Sequence, residues 1–371
     1  MRRRHLELIL DLTSTCNIRC VMCYFSITDR LRFKPFDLDP EPTGNIELTT
    51  FQHVASELFP RAHTVAFGCA AEPLLHPHFA EILRVTRTHR VPKVWVQTNL
   101  LALSVAKAQA IVDQGVRTVA VSIDGTSRET YERIRVGASW DRLLSRLELL
   151  RQARSSANAT FPLLRVTFAW MRSNRHELKS LPAFAESLGA REIDVRFVAP
   201  TVGVDNRDEL FEASLADDLM ADLWSVARDA AARGIRLNSY PAMEAERGAD
   251  NSLVGKIQHK VWLLKSGIDR PARWRRSVFE RFAGCSFPGR MFLIRPNGAV
   301  LPCPFWQEEP IALVPRDHSR AILESVDLTK IRNGLRTGCL VESCRTCGTR
   351  KDALFRPLMN AGERSPKPCD D

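Results

Sequence analysis

Asp11-Leu12-Thr13-Ser14-Thr15-Cys16-Asn17-Ile18-Arg19-Cys20-Val21-Met22-Cys23-Tyr24 is the stretch on which the reading of this 371-residue chain turns. It sets three cysteines in the spacing Cys-x3-Cys-x2-Cys directly after an apolar run, so residues 6–12 are expected as a strand and the cysteines as the loop at its C-terminal end. In a βα barrel that end of the sheet is where active sites collect. Three thiolates on one tight loop can bind three irons of a cubane and leave the fourth iron without a protein ligand. An open coordination position marks a catalytic rather than a structural metal site. Zinc is the competing reading, but a closed zinc site takes four protein ligands, and no partner pair of cysteines lies close by in the sequence.

Downstream of this loop, short runs rich in Val, Ile, Leu or Phe at 64–68, 93–98, 118–123, 164–170 and 193–199 read as strands buried on both faces. Amphipathic stretches at 50–58, 78–88, 104–114, 140–153 and 174–188 read as the helices between them, with Gly115 and Gly189 where helices should end. Six βα units with right-handed crossovers predict a parallel sheet curled into a full or partial barrel. After Pro200 the pattern changes: 209–232 reads as a long helix, 243–251 as a polar connector, and 257–281 as a basic, Trp-bearing stretch. From Cys285 the chain is rich in Pro and Gly, and Asn297-Gly298 between two apolar runs predicts a β-hairpin. The expected domains are a core over 1–205, a helical bridging region over 206–280 and a cysteine-rich unit over 281–371.

Composition narrows the class. Hydrophobic residues make up 44% of the chain, enough for a substantial buried core. No apolar run approaches the length of a membrane span, and the basic N-terminus is followed by polar residues and cysteines rather than a signal peptide's apolar segment. A cytoplasmic location without membrane attachment is therefore expected. The net charge of +10 would suit nucleic acid, a phosphate-bearing small substrate or a merely arginine-rich composition; the lack of any nucleic-acid-binding motif argues against the first. Ten cysteines fall in clusters, three at 16–23 and six beyond 284, with Cys69 alone between them. In a chain without a secretory signal, such clustering points to metal or cluster ligation rather than disulfides, and Cys69 reads as a small core residue.

The stretch 11–24 resembles the signature of the radical S-adenosylmethionine (radical SAM) superfamily, with Met22 where an aromatic residue usually precedes the last cysteine. The resemblance implies that Cys16, Cys20 and Cys23 hold a [4Fe–4S] cluster whose open iron is chelated by S-adenosylmethionine. One electron then cleaves the cosubstrate to a 5′-deoxyadenosyl radical. It also implies an α/β fold, a partial (β/α)6 TIM-type barrel. Residues 68–77, Gly-Cys-Ala-Ala-Glu-Pro-Leu-Leu-His-Pro, resemble the family's Gly-Gly-Glu-Pro segment, with Ala70 and Ala71 in place of glycines. This assigns Glu72 to the methionine ammonium; judged alone it would be a surface loop carboxylate. Gln97-Thr98-Asn99 and Ser122-Ile123-Asp124-Gly125 put polar groups on the same barrel face, so Thr98 and Ser122 are expected to bind the cosubstrate, Ser122 at its ribose. Arg135 is assigned to the methionine carboxylate, with a surface salt bridge as its alternative. Val195 and Phe197 are either walls of the adenine site or core.

The distal cysteines resemble the SPASM and twitch extensions of the same superfamily. That implies one auxiliary [4Fe–4S] cluster held by Cys285, Cys303, Cys344 and Cys347, for which zinc is the alternative when the four are read alone. Cys339 and Cys369 are surplus, available as replacement ligands or as a hydrogen donor. The leading expectation is an oxidoreductase-like enzyme of natural-product or glycan biosynthesis. It would abstract hydrogen from a sugar, aminocyclitol or sugar-nucleotide, phosphorylated substrates included, with a flavodoxin- or ferredoxin-type electron donor. The alternatives are a maturase of ribosomally made peptides and a non-catalytic iron–sulfur or zinc scaffold. The peptide reading is disfavoured because the first strand begins near Leu6, ahead of which a peptide-binding module would be expected.

Overall fold

The computed structural model describes residues 4–23, 44–198, 206–212, 215–240, 285, 287–306, 308–337, 339–345 and 347. Tyr24, the connector 243–251, the basic stretch 257–281 and Cys369 lie outside these residues.

Ten strands form one sheet: β1 (Leu6–Leu10), β2 (Ala62–Phe67), β3 (Lys93–Thr98), β4 (Thr118–Ser122), β5 (Leu163–Trp170), β6 (Glu192–Phe197), β7 (Arg236–Tyr240), β8 (Met291–Ile294), β9 (Ala299–Leu301) and β10 (Ala312–Leu313). Their spatial order is β10-β9-β8-β1-β2-β3-β4-β5-β6-β7. From β8 through β7 every pairing is parallel, while β9 and β10 are antiparallel additions. The six expected strands are β1 to β6. Helices α1 (Leu48–Leu58), α2 (Phe79–Thr88), α3 (Val105–Asp113), α4 (Arg128–Ile134), α5 (Trp140–Ser156), α6 (Leu181–Ser187) and α7 (Ala216–Ala232) connect them.

Local chemistry sets the helix ends. Ser104, Ser127 and Ser139 cap α3, α4 and α5 by accepting from Lys107, Thr130 and Arg142 backbone N–H groups. Gly115 and Gly189 follow α3 and α6 with φ of 69° and 73°, the left-handed conformation a helix exit needs. The helix expected over 174–188 is divided into a 3-10 segment, Arg172–Ser180, and α6. The division comes just before Pro182, which has no N–H to donate to the preceding turn. The helix expected over 209–232 begins later, at Ala216.

Alternation along each strand separates two faces. Leu6, Leu8, Leu10, Val65, Phe67, Val119, Val121, Val166, Phe168, Ile193 and Val195 are fully buried. They share one core cluster with the helical residues Phe51, Val54, Ile82, Leu143, Leu178 and Leu223. Val195 therefore belongs to the helix-facing core, and Phe197 packs edge-on against Trp170 at 4.9 Å. The opposite face is polar, as described below.

Two parts of the sheet are not foreseen by local pattern. The described part of the expected bridging region supplies α7 and, after it, β7, which joins the same sheet. The predicted hairpin forms around Asn297-Gly298 as β8 and β9, and its first strand pairs with β1 from Glu7↔Met291 to Leu10↔Ile294. Among the described residues no helix is long and apolar enough to cross a membrane.

Candidate functional site

The cysteine loop leaves the end of β1 and is held from three sides. Asp11 accepts from the backbone N–H groups of Cys69 (2.8 Å) and Ala70 (3.0 Å), joining the ends of β1 and β2. Asn99, after β3, donates to Asn17 Oδ1 at 2.9 Å and approaches Cys16 Sγ at 3.8 Å. A short antiparallel ribbon pairs Arg19–Cys20 with Arg135–Val136 and carries the third restraint.

Cys20 is buried, and Cys16 and Cys23 are half-buried. Burial pushes the Cys20 thiol up to about 12; Arg135 opposes this, while Asp124, Cys23 and Cys16 add to it. Burial also raises Cys16. The raised Cys16 and Cys20 thiols are turned into thiolates by nearby positive charge, which is what iron ligation supplies. Among the described residues, no group of three or more His, Cys, Asp or Glu could hold a single metal ion. A cubane, with each thiolate on a different iron, calls for a wider cradle than one ion does. The donor set and its loop fit the cluster.

Glu72 is buried rather than on the surface. It accepts from Thr98 Oγ1 at 2.6 Å, the Asn99 N–H at 2.7 Å and the Leu74 N–H at 3.1 Å. Burial raises its pKa, and these donors counter the shift in part. Thr98 is thus Glu72's partner, and the pair ties the β2 loop to the end of β3. Glu72 N–H also donates to Thr15 O at 3.0 Å, bringing the cysteine loop into the same unit.

Ser122 Oγ accepts from Gln97 Nε2 at 2.6 Å, which leaves the serine's own O–H free to donate. Arg135 is buried and pairs with Asp124 at 2.7 Å, while its second nitrogen lies 3.7 Å from Cys20 Sγ. Its salt bridge is therefore internal, not the exposed one that was the alternative. Asp124 and Asp11 were not singled out from the sequence. Each directly follows an apolar strand segment, and that position was the available signal.

The distal cysteines also converge. Burial raises the Cys303 thiol, and Cys285, Cys347 and Cys344 lie close enough to raise it further. Cys285 precedes β8 and Cys303 follows β9, so this group sits toward the N-terminal end of β1, opposite the Cys16 loop. Cys339 is disulfide-bonded. Cys69 is exposed rather than a core residue.

Comparison with known proteins agrees with this geometry. An AdoMet-dependent heme synthase of Methanosarcina barkeri is 28% identical over 204 residues, 55% of this chain and 53% of that protein. A GTP 3′,8-cyclase of Chlorobaculum tepidum is 25% identical over 64% of this chain and 63% of its own. The chain thus spans between about half and under two-thirds of the length of these curated relatives. In fold it is similar to Streptococcus suis SuiB bound to S-adenosylmethionine, with a TM-score of 0.60 and 13% identity over 94% of this chain and 71% of that one. Residues 10–168 match the family model for the radical SAM superfamily, a span that opens at the last residue of β1 and takes in all three loop cysteines, so this part of the chain is a radical SAM domain.

Proposed function

We propose that this chain reductively cleaves S-adenosylmethionine at a cluster on Cys16, Cys20 and Cys23, and that the radical abstracts hydrogen from a sugar, aminocyclitol or sugar-nucleotide. The net outcome is dehydrogenation, epimerisation or decarboxylation. Proteins of the family use a [4Fe–4S] cluster and S-adenosylmethionine, and that pair supplies the one-electron cleavage when bound. The observation that carries the reading is the convergence of the cysteine loop with Glu72, Ser122 and Arg135 at one end of β1 to β4.

The chain's own groups then have definite tasks. Glu72 presents a carboxylate already oriented by Thr98 and Asn99, suited to an ammonium. Ser122, held by Gln97, offers its O–H to a ribose oxygen. Arg135, fixed by Asp124, places a cation beside Cys20 and balances thiolate charge there. At the other end of β1, Cys285, Cys303, Cys344 and Cys347 are the ligands of one auxiliary [4Fe–4S] cluster. A fully ligated cluster has no open site, so its role is electron transfer, with a flavodoxin- or ferredoxin-type protein as the external donor.

The test is anaerobic reconstitution and reduction, followed by measurement of 5′-deoxyadenosine with and without sugars and aminocyclitols. Release that rises with such a compound supports the reading. A fully iron-loaded, reduced protein that never releases 5′-deoxyadenosine defeats it.

A further inference from the structure

The inner face of the sheet departs from what a barrel of this kind normally holds. Interiors of TIM-type barrels are filled by layers of Val, Ile and Leu. Here, one register row runs Ser122↔Thr167↔Asp194↔Asn238 across β4, β5, β6 and β7, with Gln97 reaching Ser122 from β3. One row deeper stands an ionic layer in which Glu192 pairs with both Arg165 and Arg236, and Arg165 lies over the Trp95 ring at 5.6 Å. The deeper layer satisfies itself. The upper row does not.

Arg196 binds Asp194 with two nitrogens, at 3.0 and 2.7 Å, and both go to Oδ2. Oδ1 has no hydrogen-bond partner among the described residues, and neither does the half-buried side-chain amide of Asn238. Asp194 is 14% exposed and its Oδ1 is not one of the buried unpartnered oxygens, so that atom faces water and is open to a ligand. Arg196, 46% exposed, keeps donors to spare, and its charge reaches Asp124 and Cys69 beside the cysteine loop. This corner therefore overlooks the end of the barrel where the radical would form.

We propose that Asp194, Arg196 and Asn238 form the substrate-recognition corner, and that its ligand is a pair of neighbouring hydroxyl groups on a small polyol. The proposal rests on the function proposed above and deepens it. Because Asp194 neutralises Arg196, the corner carries no net charge and does not suit a phosphate or a carboxylate. It offers an acceptor at Asp194 Oδ1, both kinds of group at Asn238 and donors at Arg196. A hydroxyl both donates and accepts from one atom, so two adjacent hydroxyls match this set; a trans peptide group turns its donor and acceptor to opposite sides and offers the corner one at a time, and an apolar group offers neither.

The experiment uses the reconstituted protein with S-adenosylmethionine and four probes: myo-inositol, D-glucosamine, inorganic phosphate and a short Ser-containing peptide. Binding is followed by calorimetry and coupling by 5′-deoxyadenosine release. Wild type is expected to bind a polyol probe. Asn238→Ala and the near-isosteric Asp194→Asn are expected to weaken that binding about tenfold or more, while iron content after reconstitution stays within about twofold of wild type. Asp194→Asn should also gain phosphate binding, because Arg196 is then uncompensated; a purely structural role would not produce this gain. If the variants bind the polyol as wild type does, the corner is wrong while the sugar reading stands. If wild type binds only phosphate or the peptide, or none of the probes, both fall.

Discussion

Arg135 Nη2 lies 2.7 Å from Asp124 Oδ2, and the same guanidinium reaches 3.7 Å from Cys20 Sγ, so one buried cation is shared between a strand-end carboxylate and a cluster-loop cysteine. Removing it strands a buried carboxylate. Arg135→Ala is expected to lower stability by about 3–5 kcal/mol, and Arg135→Lys by less, since a lysine keeps the charge but loses the fork. Urea unfolding of the iron-free protein measures the first effect. Iron content after reconstitution should fall in both variants.

Glu72 and Thr98 separate a structural from a ligand role. Thr98→Val removes one donor to Glu72 and should cost about 1 kcal/mol with little change in S-adenosylmethionine affinity. Glu72→Gln keeps the shape but removes the anion. If Glu72 meets the methionine ammonium, affinity should drop about tenfold or more in Glu72→Gln alone. Equal affinities for the two variants would reduce Glu72 to a loop fastener.

Glu177 gives a pH signature. Burial pushes its carboxyl up, but hydrogen bonds from Ser127, Thr130 and Thr126 outweigh this and hold it below its ordinary value of 4.5. A depressed folded pKa stabilises fully above the unfolded value and loses that contribution as pH falls through the folded one. Glu177→Gln should therefore cost about 1–3 kcal/mol at pH 7, and the gap to wild type should close as pH drops below about 4. Asp11, Glu72 and Asp124 are raised by burial and contribute with the opposite sign. The difference between the two proteins, not the wild-type curve, is the quantity to follow.

The auxiliary site is tested by counting iron. The triple variant of Cys16, Cys20 and Cys23 to Ala should retain about four irons if one further cluster is present, and about eight if there are two. Adding Cys303→Ala to the triple variant should remove that remainder. A retained zinc equivalent in place of iron would sink the cluster assignment.

Gly298 tests the hairpin. Its φ is 83°, and a Cβ there would run into the Val314 carbonyl oxygen. Gly298→Ala is expected to cost about 2 kcal/mol or more and to loosen the β8–β9 pair, read as faster amide exchange at Phe292 and Leu293.

Much of this architecture was legible because its signals are local. Strands β1 to β6 read correctly because parallel strands buried on both sides are dense in Val, Ile and Leu. The cysteine loop read correctly because its spacing is short. What stayed hidden depends on distance in sequence or on mixed patterning. Arg236-Leu237-Asn238-Ser239-Tyr240 alternates polar with apolar residues and does not look like a buried strand, although it is β7. The seat of β8 against β1 joins Glu7 to Met291, and no window of sequence contains both. Likewise, Asp124 could be seen as a polar residue at a strand end, but its pairing with Arg135 could not.

That long-range pairing bears on how the protein is made. Until the ribosome has passed residue 294, β1 has a neighbour on one side only and carries the cysteine loop on an open edge. Chains fold from the N-terminus as they emerge, and contacts this remote in sequence form last. The three thiols are therefore translated some 270 residues before the strand that flanks them, estimated from the span between the loop and β8. A nascent chain is open to iron loading, or to oxidation, throughout that interval, so the timing of cluster delivery during synthesis bears directly on the yield of active protein.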